Sequence, residues 1–167
     1  MQFERIKEPF YKYYIGLVKE KRLIEAVENS AGEQIEFFSK ISASKADHRY
    51  AEDKWSIKEL LQHLIDTERI FLYRALTFLR QSNTELPGYD HEAYVDGLSL
   101  GHVTFEGLIE EFSDVRRSSL SFYRNIAPAD LDRNGIANGN QRSIEDIGRI
   151  LVGHTRHHIG IIESRYL

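Results

Sequence analysis

The stretch that most limits what this chain can fold into is the last one, Ser143-Ile-Glu-Asp-Ile-Gly-Arg-Ile-Leu-Val-Gly-His154-Thr-Arg-His157-His158-Ile-Gly-Ile-Ile-Glu-Ser-Arg-Tyr-Leu167. Its apolar residues recur at helical spacing. Ser143 stands as N-cap, with an acid three residues later, Asp146, in the position of a capping-box partner. At about 100° per residue, Ile144, Ile147, Leu151, His154, His158, Ile162 and Arg165 share an arc of roughly 80°. The helix must bury that stripe, and two histidines lie in it at i, i+4. A single histidine on an apolar face is more often a core residue with satisfied nitrogens than a ligand. Two on one stripe must both find partners away from water, and one shared metal ion meets both needs.

The rest of the chain is read for further helices and a third ligand. Residues 1–18 carry Pro9, Phe10, Tyr11, Tyr13 and Tyr14 without a clean stripe, which reads as an arm packed across the domain by its rings or as a frayed terminus. A helical period spans about residues 21–41, with Leu23, Val27, Ser30, Gln34, Phe37, Phe38 and Ile41 on one face. After a polar stretch holding a solvated His48, Ser56 and Glu59 make a capping box and Trp55 faces Leu60 as a hydrophobic staple. The helix they open runs to about residue 80 on a stripe of Ile57, Leu60, Leu61, Leu64, Phe71, Ala75 and Leu79. His63 lies on its shoulder, where burial is expected to be lighter. Glu68 lies mid-stripe and needs a partner there. Arg116, mid-stripe in the next helical segment, residues 104–126, is the favoured partner; a role beside the histidine site is the alternative. Between these two helices, residues 81–103 form a long connection with a turn at Pro87-Gly88, suited to act as a lid. Its histidines, His91 and His102, could contribute to the site, but their polar neighbours read them as solvated. Residues 134–140 read as a turn-rich loop.

Composition narrows the function. The chain has 167 residues, 41% of them hydrophobic, which suits one domain, 1–167, with a sizeable core. A net charge of −4 and a pI near 6.0, without a basic cluster, give no footprint for nucleic acid. The absence of cysteine fits a reducing, cytoplasmic compartment and leaves histidine and carboxylate as the strong metal ligands. No signal peptide is visible, and no apolar run approaches the ~20 residues of a membrane span.

Four amphipathic segments without a convincing strand make an all-α helix bundle, and facing helices of bundles are where metal sites are built. His63, the one histidine on the first three helices, is the default third ligand beside His154 and His158. Three neutral imidazoles leave coordination positions open, as catalytic sites do. The pair is not a zincin, because Thr155 stands where that motif has its glutamate base.

The pieces Trp55-Ser-Ile-Lys-Glu-Leu-Leu-Gln-His63-Leu-Ile-Asp-Thr-Glu68-Arg, Leu86-Pro-Gly-Tyr-Asp90 and Gly153-His154-Thr-Arg-His-His158-Ile-Gly160 resemble the DinB-like superfamily. The resemblance implies an up-down-down-up four-helix bundle and one divalent metal ion held by His63, His154 and His158; zinc, nickel, iron and manganese all fit. It also implies a small-molecule substrate, because relatives include transferases and isomerases that work with low-molecular-weight thiols, and others labelled metal-dependent hydrolases. In that reading the ion lowers the pKa of a thiol or of water to give a nucleophile. Trp55, Glu68, Asp90 and Arg116 are then the candidates to line the pocket or support the ligands, with Asp66, Glu68 and Asp90 as weak candidate bases. The metal is expected toward the Trp55 end of the bundle, under a lid of residues 81–103. The competing reading is a non-enzymatic bundle, a stress-related homodimer or binding module, in which the metal or a histidine cluster is structural.

Overall fold

The computed structural model describes residues 10–167. Four long helices dominate: α2 (Leu23–Ser39), α3 (Ile57–Arg80), α5 (Phe105–Arg124) and α6 (Ile144–Arg165). Two short helices, α1 (Phe10–Gly16) and α4 (His91–Asp96), flank them. Helix α2 packs against α5 and α6, and α3 packs against the same two from the opposite side. The order around the bundle is therefore α2, α5, α3, α6.

Both expected capping boxes form. Ser56 accepts a hydrogen bond from the Glu59 amide while the Glu59 carboxylate accepts from the Ser56 amide, and Ser143 with Asp146 does the same for α6. These satisfy amides that the first turn of a helix leaves without partners.

The core is two apolar clusters, and their membership gives the helix directions. One joins the start of α2 (Leu23, Val27), the ends of α3 and α5 (Phe78, Tyr123) and the start of α6 (Ile144, Ile147). The other joins the end of α2 (Phe38), the starts of α3 and α5 (Leu61, Leu108) and the end of α6 (Ile162). Helices α2 and α6 thus run one way and α3 and α5 the other, which is up-down-down-up in chain order. Between the clusters lies a buried polar layer drawn from all four long helices: Ser30 and Gln34, Glu68, Arg116 and Ser119, and His154, Thr155 and His158.

Three local readings of the sequence are corrected. The described part of the N-terminal arm is the helix α1, lying along α6; residues 1–9 fall outside the described residues. The turn-rich loop is a β-hairpin, β2 (Asn134–Ala137) with β3 (Asn140–Ser143), turning at Asn138 and Gly139 with φ of 52° and 69°. Asparagine and glycine tolerate that left-handed backbone better than other residues. Third, the long connection holds β1 (Glu85–Leu86), paired parallel to β2, and then α4. This pairing ties the connection to the hairpin beside the end of α3, and Val95 of α4 packs into the cluster at the start of α3. The connection therefore runs back along α3 toward His63.

Candidate metal centre

His63 on α3 meets His154 and His158 on α6. The Nε2 atoms of His63 and His154 are 3.2 Å apart, and those of His158 and His154 are 3.0 Å apart. One nitrogen from each ring lies within 4.8 Å of the other two. The i, i+4 spacing on α6 brings two rings onto one face, with centroids 4.6 Å apart. His63 is only 5% exposed, deeper than a shoulder position suggests, because α6 and the Trp55 ring, 5.0 Å from its own, close over it.

The donor set fits a divalent ion. Each Nε2 can donate or accept along one in-plane direction, so His154 cannot serve both neighbours with one proton. Ligands about 2.1 Å from an ion stand about 3.0 Å apart on an octahedral face and about 3.4 Å apart on a tetrahedral edge. The separations of 3.0 and 3.2 Å fall in that range. The rings are also held neutral, as ligation requires. Burial, and after it the neighbouring His91, pushes His63 down to about 3. Burial, then the other histidines, takes His154 and His158 well below the usual imidazole value.

Aromatic rings wall the triad. Tyr14 of α1 lies 5.3 Å from His154, and Phe71 lies 6.5 Å from it. Burial, and then the phenols of Tyr13 and Tyr89, push the Tyr14 hydroxyl up to about 12. Helix α1 reaches this position because Gly153 precedes His154: a Cβ there would stand 1.9 Å from the Tyr14 carbonyl oxygen. His91 of α4 packs 5.9 Å from His63 and 6.2 Å from Trp55, so it is not the solvated loop residue its polar neighbours suggested. His157 turns aside onto Tyr13 and Tyr14 and is not part of the cluster.

The remaining candidates separate. Trp55 lies beside the triad. Asp90 does not: it is exposed, and its carboxylate accepts from the Glu92 and Ala93 amides as the cap of α4. Glu68 and Arg116 form the anticipated ion pair, 2.8 Å apart with both side chains fully buried. Burial pushes the Glu68 carboxyl up while the Arg116 guanidinium pulls against it. Arg116 also donates to the Thr155 hydroxyl at 3.2 Å, next in sequence to His154. The pair thus braces α6 and stands apart from the triad. Asp66 hydrogen-bonds Gln62 on its own helix. Tyr14, Phe71 and Arg74 were not singled out for the site; His91 was set aside as solvated, and Tyr89 stood only inside the Leu86–Asp90 motif. The stripe of α3, on which His63, Thr67, Phe71 and Arg74 align, carried the signal for Phe71 and Arg74.

Comparison with known proteins agrees with this architecture. The sequence profile of the DinB superfamily matches residues 26–162, and the chain belongs to that superfamily. Among solved structures it is similar to YfiT from Bacillus subtilis, described as "a probable metal-dependent hydrolase with an unusual four-helix bundle topology". The TM-score is 0.69 at 17% identity, covering 98% of this chain and 90% of that one. Comparison with curated protein sequences gives no match. Among the described residues, no helix is long and apolar enough to cross a membrane.

Proposed function

We propose that this protein is a metal-dependent enzyme acting on a small molecule, with His63, His154 and His158 holding one divalent ion. The observation that carries the reading is the convergence of three neutral Nε2 atoms from two helices, 3.0 and 3.2 Å between neighbours. When bound, the ion supplies Lewis acidity that makes a thiol or a water molecule a nucleophile at neutral pH. The chain's own residues present three nitrogens and leave the other positions to substrate. Trp55, Tyr14 and Phe71 shield the triad from bulk water, with His91 packed beside Trp55 and His63. The neighbour's description as a metal-dependent hydrolase supports hydrolysis; a low-molecular-weight thiol as co-substrate is the transferase form of the same site.

The test is elemental analysis of protein purified without a nickel column. About one equivalent of divalent metal is expected, sharply reduced in His63→Ala, His154→Ala and His158→Ala and retained in His157→Ala. Full occupancy in His63→Ala would remove α3 from the site. The near-complete burial of the triad, 1–7% exposed, is the observation that favours the structural reading. A cobalt-substituted sample whose spectrum no small thiol or hydrolysable substrate shifts would select it.

A further inference from the structure

Arg74 is 8% exposed, yet among the described residues its one hydrogen bond runs from Nη2 to the Pro87 carbonyl, at 3.1 Å. Three other shielded arginines have carboxylates: Arg116 has Glu68, Arg149 has Glu145, and Arg156 has Glu20. No ion pair among the described residues includes Arg74. A guanidinium carries five N–H donors in a fixed fork suited to carboxylate. Those of Arg74 that lack partners are not among the sealed, unbonded atoms of the interior, so they open onto accessible space. A shielded guanidinium with accessible, unpartnered donors is suited to receive an anion.

Its position says which anion. Arg74 shares a helix face with His63, Thr67 and Phe71, and long helical side chains lean toward the N-terminus, here toward His63. Its guanidinium carbon lies 5.6 Å from the Phe71 ring centre and 5.8 Å from that of Tyr89, whose hydroxyl is fixed by Thr67 at 2.7 Å. Phe71 is in turn 6.5 Å from the His154 ring, so the guanidinium is at most about 12 Å from that ring. The guanidinium, the rings of Phe71 and Tyr89, and the histidine triad thus follow one another in space.

We propose that Arg74 is an anion-binding subsite that takes the carboxylate of a small organic acid, whose apolar body lies along Phe71 and Tyr89 with its reacting end toward the triad. This deepens the reading of the triad as the reaction centre and gives the substrate class as a carboxylate with a flat apolar middle.

Titration calorimetry of the full chain as purified, with benzoate as probe and benzyl alcohol as its uncharged counterpart, tests it. Benzoate is expected to bind wild type and to bind Arg74→Gln about tenfold or more weakly, the loss of a charge-assisted bidentate pair. Benzyl alcohol is expected to treat the two proteins alike. His154→Ala, which should lose its metal, is expected to keep benzoate affinity within about twofold, because the fork lies outside the triad. Equal benzoate affinity in wild type and Arg74→Gln, or no binding by wild type at millimolar concentration, overturns the subsite and leaves Arg74 a brace for Pro87. If Arg74→Gln does not fold, the arginine Nε–Hε NMR signals of wild type decide: the one absent from Arg74→Lys must move with benzoate and not with benzyl alcohol. Metal content measured in the same samples separates the two ideas. Arg74-dependent benzoate binding without any bound metal keeps the subsite and removes the metal reading, and bound metal with indifferent Arg74 does the reverse.

Discussion

Removing one member of the Glu68–Arg116 pair is expected to destabilise the protein far more than removing both. The charged atoms are 2.8 Å apart with no exposure on either side chain. At an effective dielectric of about 20, that separation corresponds to an attraction of roughly 6 kcal/mol. Against it stands a desolvation cost of several kcal/mol per ion. The offset is incomplete here, since neither Glu68 oxygen accepts a directed hydrogen bond and Arg116 Nε and Nη1 donate none. Ser119 stands beside the carboxylate, but its hydroxyl is not aligned for a bond. The pair therefore adds little net stability, while either charge left alone keeps its desolvation cost and loses the attraction. Glu68→Leu and Arg116→Met are each expected to cost about 3–5 kcal/mol, and the double variant to lie within about 1 kcal/mol of wild type or above it. For a chain of this size each single change lowers Tm by roughly 10 °C. Urea unfolding in a chelating buffer, which removes metal linkage, gives the cycle directly. Single losses of about 3–5 kcal/mol with a double variant near wild type imply a coupling of at least about 5 kcal/mol, above the roughly 0.5–3 kcal/mol usual for contacting residues. Coupling below about 0.5 kcal/mol would refute the argument.

Two further changes probe how the site is enclosed. Gly153→Ala places a methyl group into the Tyr14 carbonyl and should lift α1 from α6, costing about 1–3 kcal/mol in a thermal melt and raising proteolysis near Tyr14; an unchanged melt would mean that α1 adjusts freely. Acid should weaken the same junction. Arg156 holds Glu20 through two hydrogen bonds and lowers its carboxyl from 4.5 to about 2. A depressed carboxyl stabilises the fold above its unfolded pKa and loses that contribution as pH falls through the folded one, so the window is about pH 5 to 2. With side-chain exposures of 22% for Arg156 and 16% for Glu20, solvent screening reduces the effect to about 1 kcal/mol or less. Glu20→Gln should flatten the stability profile in that window, and an unaltered slope would assign it to other carboxylates.

The helices and the ion pair were legible in the sequence because each leaves a periodic trace. Ser56 with Glu59 and Ser143 with Asp146 mark the starts of α3 and α6 by chemistry that acts within four residues. Glu68 and Arg116 declared themselves as charges in the middle of apolar stripes. The convergence of His154 and His158 follows from their spacing. What was not legible depends on contacts between distant segments. The burial of His63 comes from Trp55 and α6. The place of α1 comes from the missing side chain of Gly153. Strand β1 is defined by pairing Glu85 with Ile136, some fifty positions away. The hairpin had a local signal in Asn138-Gly139, but its strands, Asn-Gly-Ile-Ala and Asn-Gln-Arg-Ser, lack the alternation that would have supported it. His91 looked solvated by its neighbours in sequence, and the path of the connection brings it to Trp55.

The polar layer that divides the core also bears on why a costly ion pair is present at the level of the histidines. Apolar helix faces can slide past one another by a turn with little change in buried area, whereas a charge pair tolerates no such slip. Arg116 of α5 touches Glu68 of α3 and Thr155 of α6, and so fixes three helices at the height where two of them carry the histidines. A metal site built on the triad would need that accuracy, because its nitrogens stand 3.0 and 3.2 Å apart and a shift of about 1 Å would take them out of ligand range. The double variant Glu68→Leu/Arg116→Met is therefore expected to remain about as stable as wild type and yet bind zinc about 10–100-fold more weakly, the usual effect of losing support behind a ligand. Competition titration against a chromophoric chelator measures this without reference to activity. A double variant of wild-type stability with wild-type zinc affinity would show that the apolar clusters alone set the register, and that the pair has no part in positioning His154 and His158.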